Sequence, residues 1–158
     1  MILSTKGRYA VTAMVELAAM DEAKPVPLTV LAERQNIPLA YLEQIFARLK
    51  KGGLVQSVRG PGGGYQLALA PEETRIVDII LAADESIEMT RCGGSQKPGC
   101  ANNKARCLTH DLWEGLTEHI YNYLKAISLA DVCEKEGAGL AISAIQPITG
   151  NQQPATHP

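Results

Sequence analysis

The sequence predicts a mostly α-helical protein that carries one small β-hairpin. Apolar residues recur at helical spacing in five segments of the 158-residue chain. Two short alternating runs flank a glycine-rich stretch, VRGPGGGYQL, at residues 58–67. Hydrophobic residues make up 46% of the chain, which is enough for a buried core. The length fits one domain, or a small domain with an extension.

Two helices joined by a tight turn are predicted after a first amphipathic helix. The first helix, residues 9–20, places these residues on one face: Ala10, Ala13, Met14, Leu17 and Ala18. A short helix at 29–35 has Val30, Leu31 and Ala32 as its apolar content. A turn at 35–38 follows, in which Asn36 suits a left-handed backbone.

A stronger helix is predicted at residues 39–51, ended by two glycines. Its buried stripe is expected to consist of Leu39, Leu42, Ile45, Phe46 and Leu49. The opposite face would carry Ala40, Glu43, Gln44, Ala47 and Lys51. This helix therefore has one face for the core and another free for a partner.

The remaining elements follow from the same patterns. Strands are predicted at 54–58 and 65–69, and a helix at 76–83 with Ile76, Val77, Ile80 and Leu81 on its apolar face. Residues 90–107 are expected to lack regular structure, and 108–127 to form a long helix. The predicted organisation is a domain at 1–75, a second region at 76–133 and a disordered tail at 134–158.

Charge and cysteine content restrict the function classes. Residues 1–75 hold nine Lys and Arg against seven Asp and Glu, whereas residues 76–158 hold six against ten. Only the front part is therefore expected to meet a polyanion. The start, MILSTKGRYA, lacks a signal-peptide core, and no apolar run approaches a membrane span, so a cytoplasmic protein without membrane contact is expected. Cysteines in that compartment are better interpreted as ligands or reactive thiols than as disulfides.

The glycine stretch favours a DNA-binding wing over a nucleotide loop. A phosphate-binding loop needs Lys-Ser or Lys-Thr and then a helix, but Tyr65 and a strand pattern follow here. A plain hairpin turn explains one or two glycines but not the whole stretch. The order helix, turn, helix, strand, loop, strand instead predicts a winged helix-turn-helix, whose second helix lies in the major groove of DNA.

Several residues are candidate DNA contacts in such a domain. Glu43 can accept from cytosine N4 and Gln44 can pair with adenine, although both would also suit an ordinary solvated face. Arg59 at the base of the wing could enter the minor groove. The full set of candidates is Glu43, Gln44, Arg59, Arg48, Lys51, Tyr41, Gly62 and Gly63, with Lys50 adding positive charge near the backbone.

A second constellation predicts a metal centre. Cys92, Cys100, Cys107 and His110 form the spacing C-x7-C-x6-C-x2-H. Three thiolates and an imidazole suit zinc or an iron–sulfur cluster. The lack of a tight C-x2-C pair favours the larger cluster, and His110 could alternatively be a capping or surface histidine. A cluster here would join a loop to the long helix, as in a sensor.

The long helix predicts a dimer interface. Its heptad-like seam consists of Trp113, Leu116, Ile120, Tyr123 and Ile127, widened by Leu112 and Leu124. The alternative is a helix packed on its own domain. A homodimer on a two-fold-related DNA site is favoured because one small winged domain reads only a short half-site. Cys133 is expected to be a buried packing residue.

With these motifs in view, the chain resembles the IscR family of iron–sulfur-cluster-sensing transcription regulators. The likeness is carried by LSTKGRYAVTAM, YLEQIFARLKKGGLV, SVRGPGGGY and CLTHDLW. It implies a homodimeric repressor that is not an enzyme, with double-stranded DNA and iron–sulfur cluster donor proteins as partners. It also implies a 2Fe–2S cluster on Cys92, Cys100, Cys107 and His110, and DNA reading by Glu43, Gln44 and Arg59.

Two departures from that family leave alternatives open. Ala40 stands where many relatives have serine, which removes one polar DNA contact. The cysteine spacing is longer than the common C-x5-C-x5-C and is similar to that of nitric-oxide-sensing relatives. The expected function is repression of iron–sulfur assembly genes. The alternatives are a nitric-oxide-sensing repressor, a zinc-stabilised regulator and a small iron–sulfur electron carrier.

Overall fold

The computed structural model describes residues 4–20, 24–88 and 106–134. The elements in these ranges are α1 (Thr5–Ala19), α2 (Leu28–Gln35), α3 (Leu39–Lys51), β1 (Val55–Val58), β2 (Gly64–Leu67), α4 (Ile76–Ala82), α5 (His110–Ala126) and α6 (Leu129–Cys133). The predicted ligands Cys92 and Cys100 and the predicted tail after 134 lie outside the described residues.

Helix α1 forms the centre of the molecule. Its start is capped by the Ser4 side chain, which accepts from the Lys6 backbone N–H at 3.2 Å. Ala10, Ala13 and Met14 are fully buried, and the two alanines let neighbouring helices approach closely. The helix begins four residues earlier than the sequence pattern indicates, because the periodic apolar residues start only at Tyr9.

Helices α2 and α3 form the predicted helix-turn-helix. Asn36 ends α2 in the left-handed conformation, with φ 52° and ψ 43°, as expected. Helix α3 has the predicted bounds, and four of its five predicted core residues are buried: Leu42, Ile45, Phe46 and Leu49. The prediction for Leu39 is wrong. This residue is 37% exposed because it occupies the first helical position, beyond the edge of the core.

Strands β1 and β2 form an antiparallel hairpin in which Val55 pairs with Leu67 and Val58 pairs with Gly64. Val26 forms an isolated antiparallel bridge with the hairpin, since it exchanges backbone hydrogen bonds of 2.8 and 2.9 Å with Tyr65. Gly64 is needed for this contact, because a Cβ atom there would lie 2.4 Å from the Val26 backbone. The ring of Tyr65 also packs edge-on against Phe46, 5.0 Å between centroids. The hairpin is thereby anchored to the helical core.

Helices α4 and α6 complete the same core. Ile76, Val77, Ile79 and Ile80 of α4 are buried, whereas Leu81 is 45% exposed. The predicted place of Leu81 on the buried face is therefore wrong, and Ile79 takes that role. The sequence pattern did not indicate α6, a five-residue helix with a capping box between Ser128 and Asp131.

The chain returns after α5 to pair with the start of α4. The Ile76 N–H donates to the Ile127 carbonyl at 3.0 Å, and the Leu129 N–H donates to the Thr74 carbonyl at 2.8 Å. Leu129 is fully buried in the cluster that also contains the core residues of α1 and α3. Residues on both sides of position 75 therefore share one hydrophobic core. In the described ranges, every helix is too short or too polar to cross a membrane.

Candidate nucleic-acid interface and metal centre

One face of α3 is free of the protein core. Its exposed residues lie within a contiguous arc and are Leu39, Ala40, Glu43, Gln44, Ala47, Lys50 and Lys51. The opposite arc carries the buried stripe that holds the helix against α1. The structure therefore places Glu43, Gln44 and Lys51 together on a solvent-facing surface, as a groove-reading helix requires.

Two predicted DNA contacts, Tyr41 and Arg48, lie at the margin of that arc. Tyr41 is half-buried, and its ring meets Tyr9 edge-on at 5.9 Å between centroids. Arg48 donates from Nη1 to the Asp84 carboxylate at 2.7 Å and to the Ala83 carbonyl at 3.3 Å. The guanidinium is thus directed towards the end of α4. Contact with DNA by either residue stays a prediction, and for Arg48 a phosphate would compete with Asp84.

A direct bond connects the exposed face of α3 to the hairpin. The Lys50 ammonium donates to Ser57 Oγ at 2.6 Å. Ser57 lies in β1, two residues before Arg59. The bond places the base of the hairpin beside the free face of the helix, so that both can meet one ligand.

The tip of the hairpin projects into solvent. Arg59, Gly60 and Gly62 are exposed, and both glycines have positive φ, 102° and 73° respectively. No atom lies within 4 Å of a Cβ built on either glycine, so these two positions are open to a partner. Gly63 differs, because a Cβ there would lie 2.4 Å from the Val58 carbonyl oxygen. The glycines therefore serve the turn itself as well as leaving its tip open.

Cys107 and His110 lie at the start of α5, of which His110 is the first residue. The His110 N–H donates to the Cys107 carbonyl at 3.0 Å, so a single turn holds both residues. The Cys107 side chain is exposed, with its sulfur 3.8 Å from Thr109 Oγ1. His110 is only 3% exposed and is the one buried residue of α5. A surface role for His110 is thereby excluded.

Two carboxylates near His110 were not found by sequence reasoning. His110 Nε2 lies 3.6 Å from a Glu114 carboxylate oxygen, and the ligand atoms of His110, Asp111 and Glu114 all lie within 4.8 Å of one another. Arg106 pairs with Asp111 at 3.2 Å and approaches Glu114 at 3.7 Å. The i, i+4 spacing of His110 and Glu114 on the predicted helix is the signal that could have indicated the contact.

The donor atoms of this region fit a thiolate and imidazole metal site. A buried imidazole whose ring nitrogen faces a carboxylate is the usual arrangement of a metal-bound histidine, because the carboxylate orients the ring. The Cys107 thiol lies at the end of the segment that contains Cys92 and Cys100. The position of Cys107 and His110 is thus compatible with the predicted four-ligand set.

Helix α5 exposes part of its apolar stripe. Trp113 is 42% exposed and Leu116 is also exposed. Ile120, Tyr123 and Ile127 are half-buried, and Ile120 and Ile127 pack against the protein's own core. The predicted seam is therefore divided between an internal contact and a free surface.

The comparisons with known proteins identify the chain's family. The family model Rrf2, described as an iron-dependent transcriptional regulator, matches residues 3–135. The chain belongs to the Rrf2 family. This match covers the helix-turn-helix, the hairpin, the four predicted metal ligands and α5. The protein is accordingly a DNA-binding transcription regulator, and the predictions of a regulator and of a non-enzymatic role are confirmed.

Rrf2 relatives resemble the chain over most of its length. An HTH-type transcriptional regulator IscR from Aliivibrio salmonicida is 52% identical over 132 residues, which is 84% of this chain and 77% of that protein. The IscR of Serratia proteamaculans is 51% identical over 136 residues, 86% of this chain and 81% of the relative. The predicted resemblance to IscR is thereby confirmed.

Solved structures of Rrf2 proteins share the fold. T. potens IscR has a TM-score of 0.68 at 39% sequence identity, and the aligned region covers 85% of this chain and 87% of the IscR chain. CymR, the global cysteine regulator of B. subtilis, has a TM-score of 0.69 at 30% identity, covering 85% and 97%. These neighbours and the described elements confirm the predicted fold, a mostly helical winged helix-turn-helix with a long additional helix.

Proposed function

We propose that this Rrf2 regulator represses iron–sulfur assembly genes and senses a 2Fe–2S cluster. The observation that carries the DNA-binding part is the Lys50–Ser57 bond, which joins the exposed face of α3 to the exposed hairpin. The similarity to proteins named IscR supports the cluster-sensing part.

The reading head consists of α3 and the hairpin. Helix α3 enters the major groove, where Glu43 accepts from cytosine N4 and Gln44 pairs with adenine. Arg59 enters the adjacent minor groove, whose negative potential attracts guanidinium groups. Lys51 and the open tip at Gly62 approach phosphates, which fix the register of the protein on the duplex.

The sensing site consists of Cys92, Cys100, Cys107 and His110. A bound 2Fe–2S cluster supplies an oxidant-sensitive and redox-active centre. The Glu114 carboxylate lies 3.6 Å from His110 Nε2, where it could orient the imidazole of a metal-bound His110, and the Cys107 carbonyl accepts from the His110 N–H at the start of α5. Delivery of the cluster requires iron–sulfur cluster donor proteins as partners. Loss of the cluster would remove the link among its four protein ligands. We expect this loss to change DNA affinity or the choice of DNA site.

A homodimer fits the exposed part of α5. Trp113 and Leu116 are aromatic and aliphatic groups that a second copy can cover, and the adjacent Leu112 is 63% exposed. Two copies double the length of DNA that is read. Once one copy is bound, the dimer holds the second copy near its half-site, so the second contact becomes intramolecular. The regulator acts where the genome lies, in the cytoplasm of a bacterium.

The direct test measures DNA binding by the anaerobically reconstituted protein and by the cluster-free protein on candidate operators. A cluster-dependent change in affinity or site preference is expected. Cys107→Ser should bind DNA as the cluster-free protein does, whereas Glu43→Gln should lose preference for cytosine in both states. Equal affinity of both forms for every operator would remove the sensing claim, and absence of specific binding would remove the DNA-reading claim.

A nitric-oxide-sensing repressor is the second candidate, because the first cysteine spacing is long. Nitric oxide should then change the visible spectrum and release DNA at stoichiometric doses, while iron limitation alone leaves DNA binding unchanged. The iron-to-protein ratio after anaerobic purification separates both from a zinc-stabilised regulator. A reversible redox couple without any DNA binding would instead indicate an electron carrier.

A further inference from the structure

The first turn of α3 has an aliphatic tip, defined as Pro38, Leu39 and Ala40. All three residues are exposed, and Leu39 is among the exposed large hydrophobic residues of the described chain. The cap residue Pro38 makes no side-chain hydrogen bond, and the first turn has no acidic residue. The side chains at the end of α3 that is proposed to enter DNA are therefore aliphatic rather than polar.

Glu43 and Gln44 lie one turn behind this tip on the same exposed arc. Residues three or four apart on a helix are neighbours, so Leu39 and Ala40 adjoin the two polar readers. One turn advances about 5.4 Å along the helix axis. Base pairs are about 3.4 Å apart along each strand, so the tip meets a base one or two pairs away from the base that Glu43 reads.

Major-groove chemistry leaves one apolar partner for such a tip. Every base edge in the major groove presents donors or acceptors except the C5 position of pyrimidines, where thymine carries a methyl group. A polar base edge covered by Leu39 would lose its hydrogen bonds to water without replacement. A methyl group covered by Leu39 or Ala40 gains from the removal of apolar surface from water.

We propose that Leu39 and Ala40 read a pyrimidine C5-methyl group, one or two base pairs from the base contacted by Glu43. This inference rests on the proposed insertion of α3 into the major groove. It makes Ala40 a specificity-determining residue. The preferred operator half-site therefore contains a methylated pyrimidine beside the cytosine or adenine that the polar readers select.

The test uses the full-length protein and an operator selected from random duplex DNA. Each thymine of the half-site is replaced in turn by deoxyuridine, which removes only the methyl group. One position per half-site should weaken binding roughly three- to fourfold, the effect of burying about one methyl group. In Ala40→Ser and Leu39→Ala the same replacement should change affinity by less than about 1.5-fold, because the aliphatic partner has been altered.

Ala47→Ser is the matched control. Ala47 lies on the same exposed arc, seven residues after Ala40. Ala47→Ser therefore makes the same chemical change as Ala40→Ser, but outside the aliphatic tip. This variant should retain the full deoxyuridine effect. A deoxyuridine effect that persists unchanged in both tip variants would overturn the proposal, because the methyl group would then act through DNA shape.

A second arm distinguishes the source of the methyl group. The thymine·adenine base pair at which deoxyuridine weakens binding is changed to cytosine·guanine and, separately, to 5-methylcytosine·guanine. Tighter binding to the methylated pair supports methyl reading, and comparison with the thymine·adenine pair shows which source binds better. Equal binding to both cytosine pairs would overturn the proposal. Specific binding without methyl sensitivity overturns this inference alone, whereas absence of specific binding overturns the proposed function as well.

Discussion

Helices α3 and α5 both carry regular apolar stripes, but the chain itself covers most of the α3 stripe and only the second part of the α5 stripe. Leu42, Phe46 and Leu49 of α3 are fully buried. On α5 the only buried residue is His110, and Trp113 and its neighbours face solvent. Periodicity thus shows that a helix has an apolar face, and it does not show what covers that face.

The two halves of α5 sharpen the contrast. Ile120 and Leu124 of its second half and the cap residue Ile127 pack against the core, whereas Trp113 and Leu116 of its first half are exposed. The second half lies close to the connection that pairs with the start of α4. The first half extends past the core and carries the candidate metal ligand His110. The second half of α5 therefore belongs to the folded core, and its first half presents an exposed apolar surface.

The largest effect is expected from Phe46→Ala in the covered stripe of α3. Phe46 is fully buried and packs against Tyr65 of the hairpin, so its removal leaves a cavity between helix and wing. The free energy of unfolding should fall by about 3–5 kcal/mol in a denaturant titration. A loss below about 1 kcal/mol would mean that the α3 stripe is no better covered than that of α5.

Trp113→Ala makes a similar aromatic deletion on the uncovered stripe. It should weaken self-association by about 2 kcal/mol, roughly thirtyfold in the dimer dissociation constant, as measured by sedimentation or light scattering over a concentration series. The dilute monomer should lose much less stability than Phe46→Ala does. Tyr121→Ala is the control, because Tyr121 is an exposed aromatic of α5 outside the stripe. If both variants associate as the wild type does, the exposed stripe is not the dimer surface.

A smaller effect is expected at the margin of α3, from Asp84→Asn. Asp84 contacts Arg48 at 2.7 Å and Lys6 at 4.0 Å, but its side chain is 78% exposed. The loss of stability should stay below about 1 kcal/mol and diminish in high salt. Asparagine tolerates the positive φ of this position, 62°. Asp84→Asn should also raise DNA affinity more than Glu72→Gln, which removes an exposed carboxylate elsewhere, because Arg48 then keeps its bond to the Ala83 carbonyl but loses its carboxylate partner. Equal DNA affinity of the two variants would show that Asp84 does not restrain Arg48.

The smallest effect concerns Glu85, beside the same margin. The hydrogen bond from Ser4, followed by the hydrogen bond and charge of Lys6, lowers the pKa of Glu85 below its ordinary value of 4.5. A carboxylate with a lowered pKa stabilises the fold above its unfolded pKa and loses that contribution as the pH falls through the folded pKa. The stability difference between wild type and Glu85→Gln should therefore be largest near neutral pH and shrink below about pH 4.5. A constant difference across pH 3–7 would contradict this coupling.

The sequence predicted the helix-turn-helix and the hairpin well because strong local signals delimit them. Pro38 and Gly52 flank α3, and its predicted bounds match the structure. The misplacements of Leu39 and Leu81 have different causes. Leu39 lies at the end of its face, beyond the core, whereas Leu81 lies to the side of the buried face, which Ile79 and Ala83 occupy. A helical period shows that a helix has an apolar face, but it fixes neither the end of that face nor its lateral edge.

Other features gave no periodic signal or depended on contacts between separate elements. Helix α6 has only five residues, too few for a periodic signal, and it is stabilised by its capping box and by burial of Leu129. The Arg48–Asp84 and Lys50–Ser57 contacts join residues 36 and 7 positions apart. For the metal centre, cysteine spacing predicted the ligands, but the burial of His110 required the tertiary structure.

The amino-acid sequence by itself determined the local elements, the glycine-rich hairpin turn VRGPGGGY and the residue types of the proposed reading head and the proposed thiolate site. These depend on backbone preferences and side-chain chemistry, which act over a few residues. Only the tertiary structure decided that α3 buries its stripe while the first half of α5 does not, and that Lys50 holds the hairpin beside the free face of α3. Burial and long-range contacts are properties of the packed chain, because they depend on which surfaces meet once every element competes for the same core.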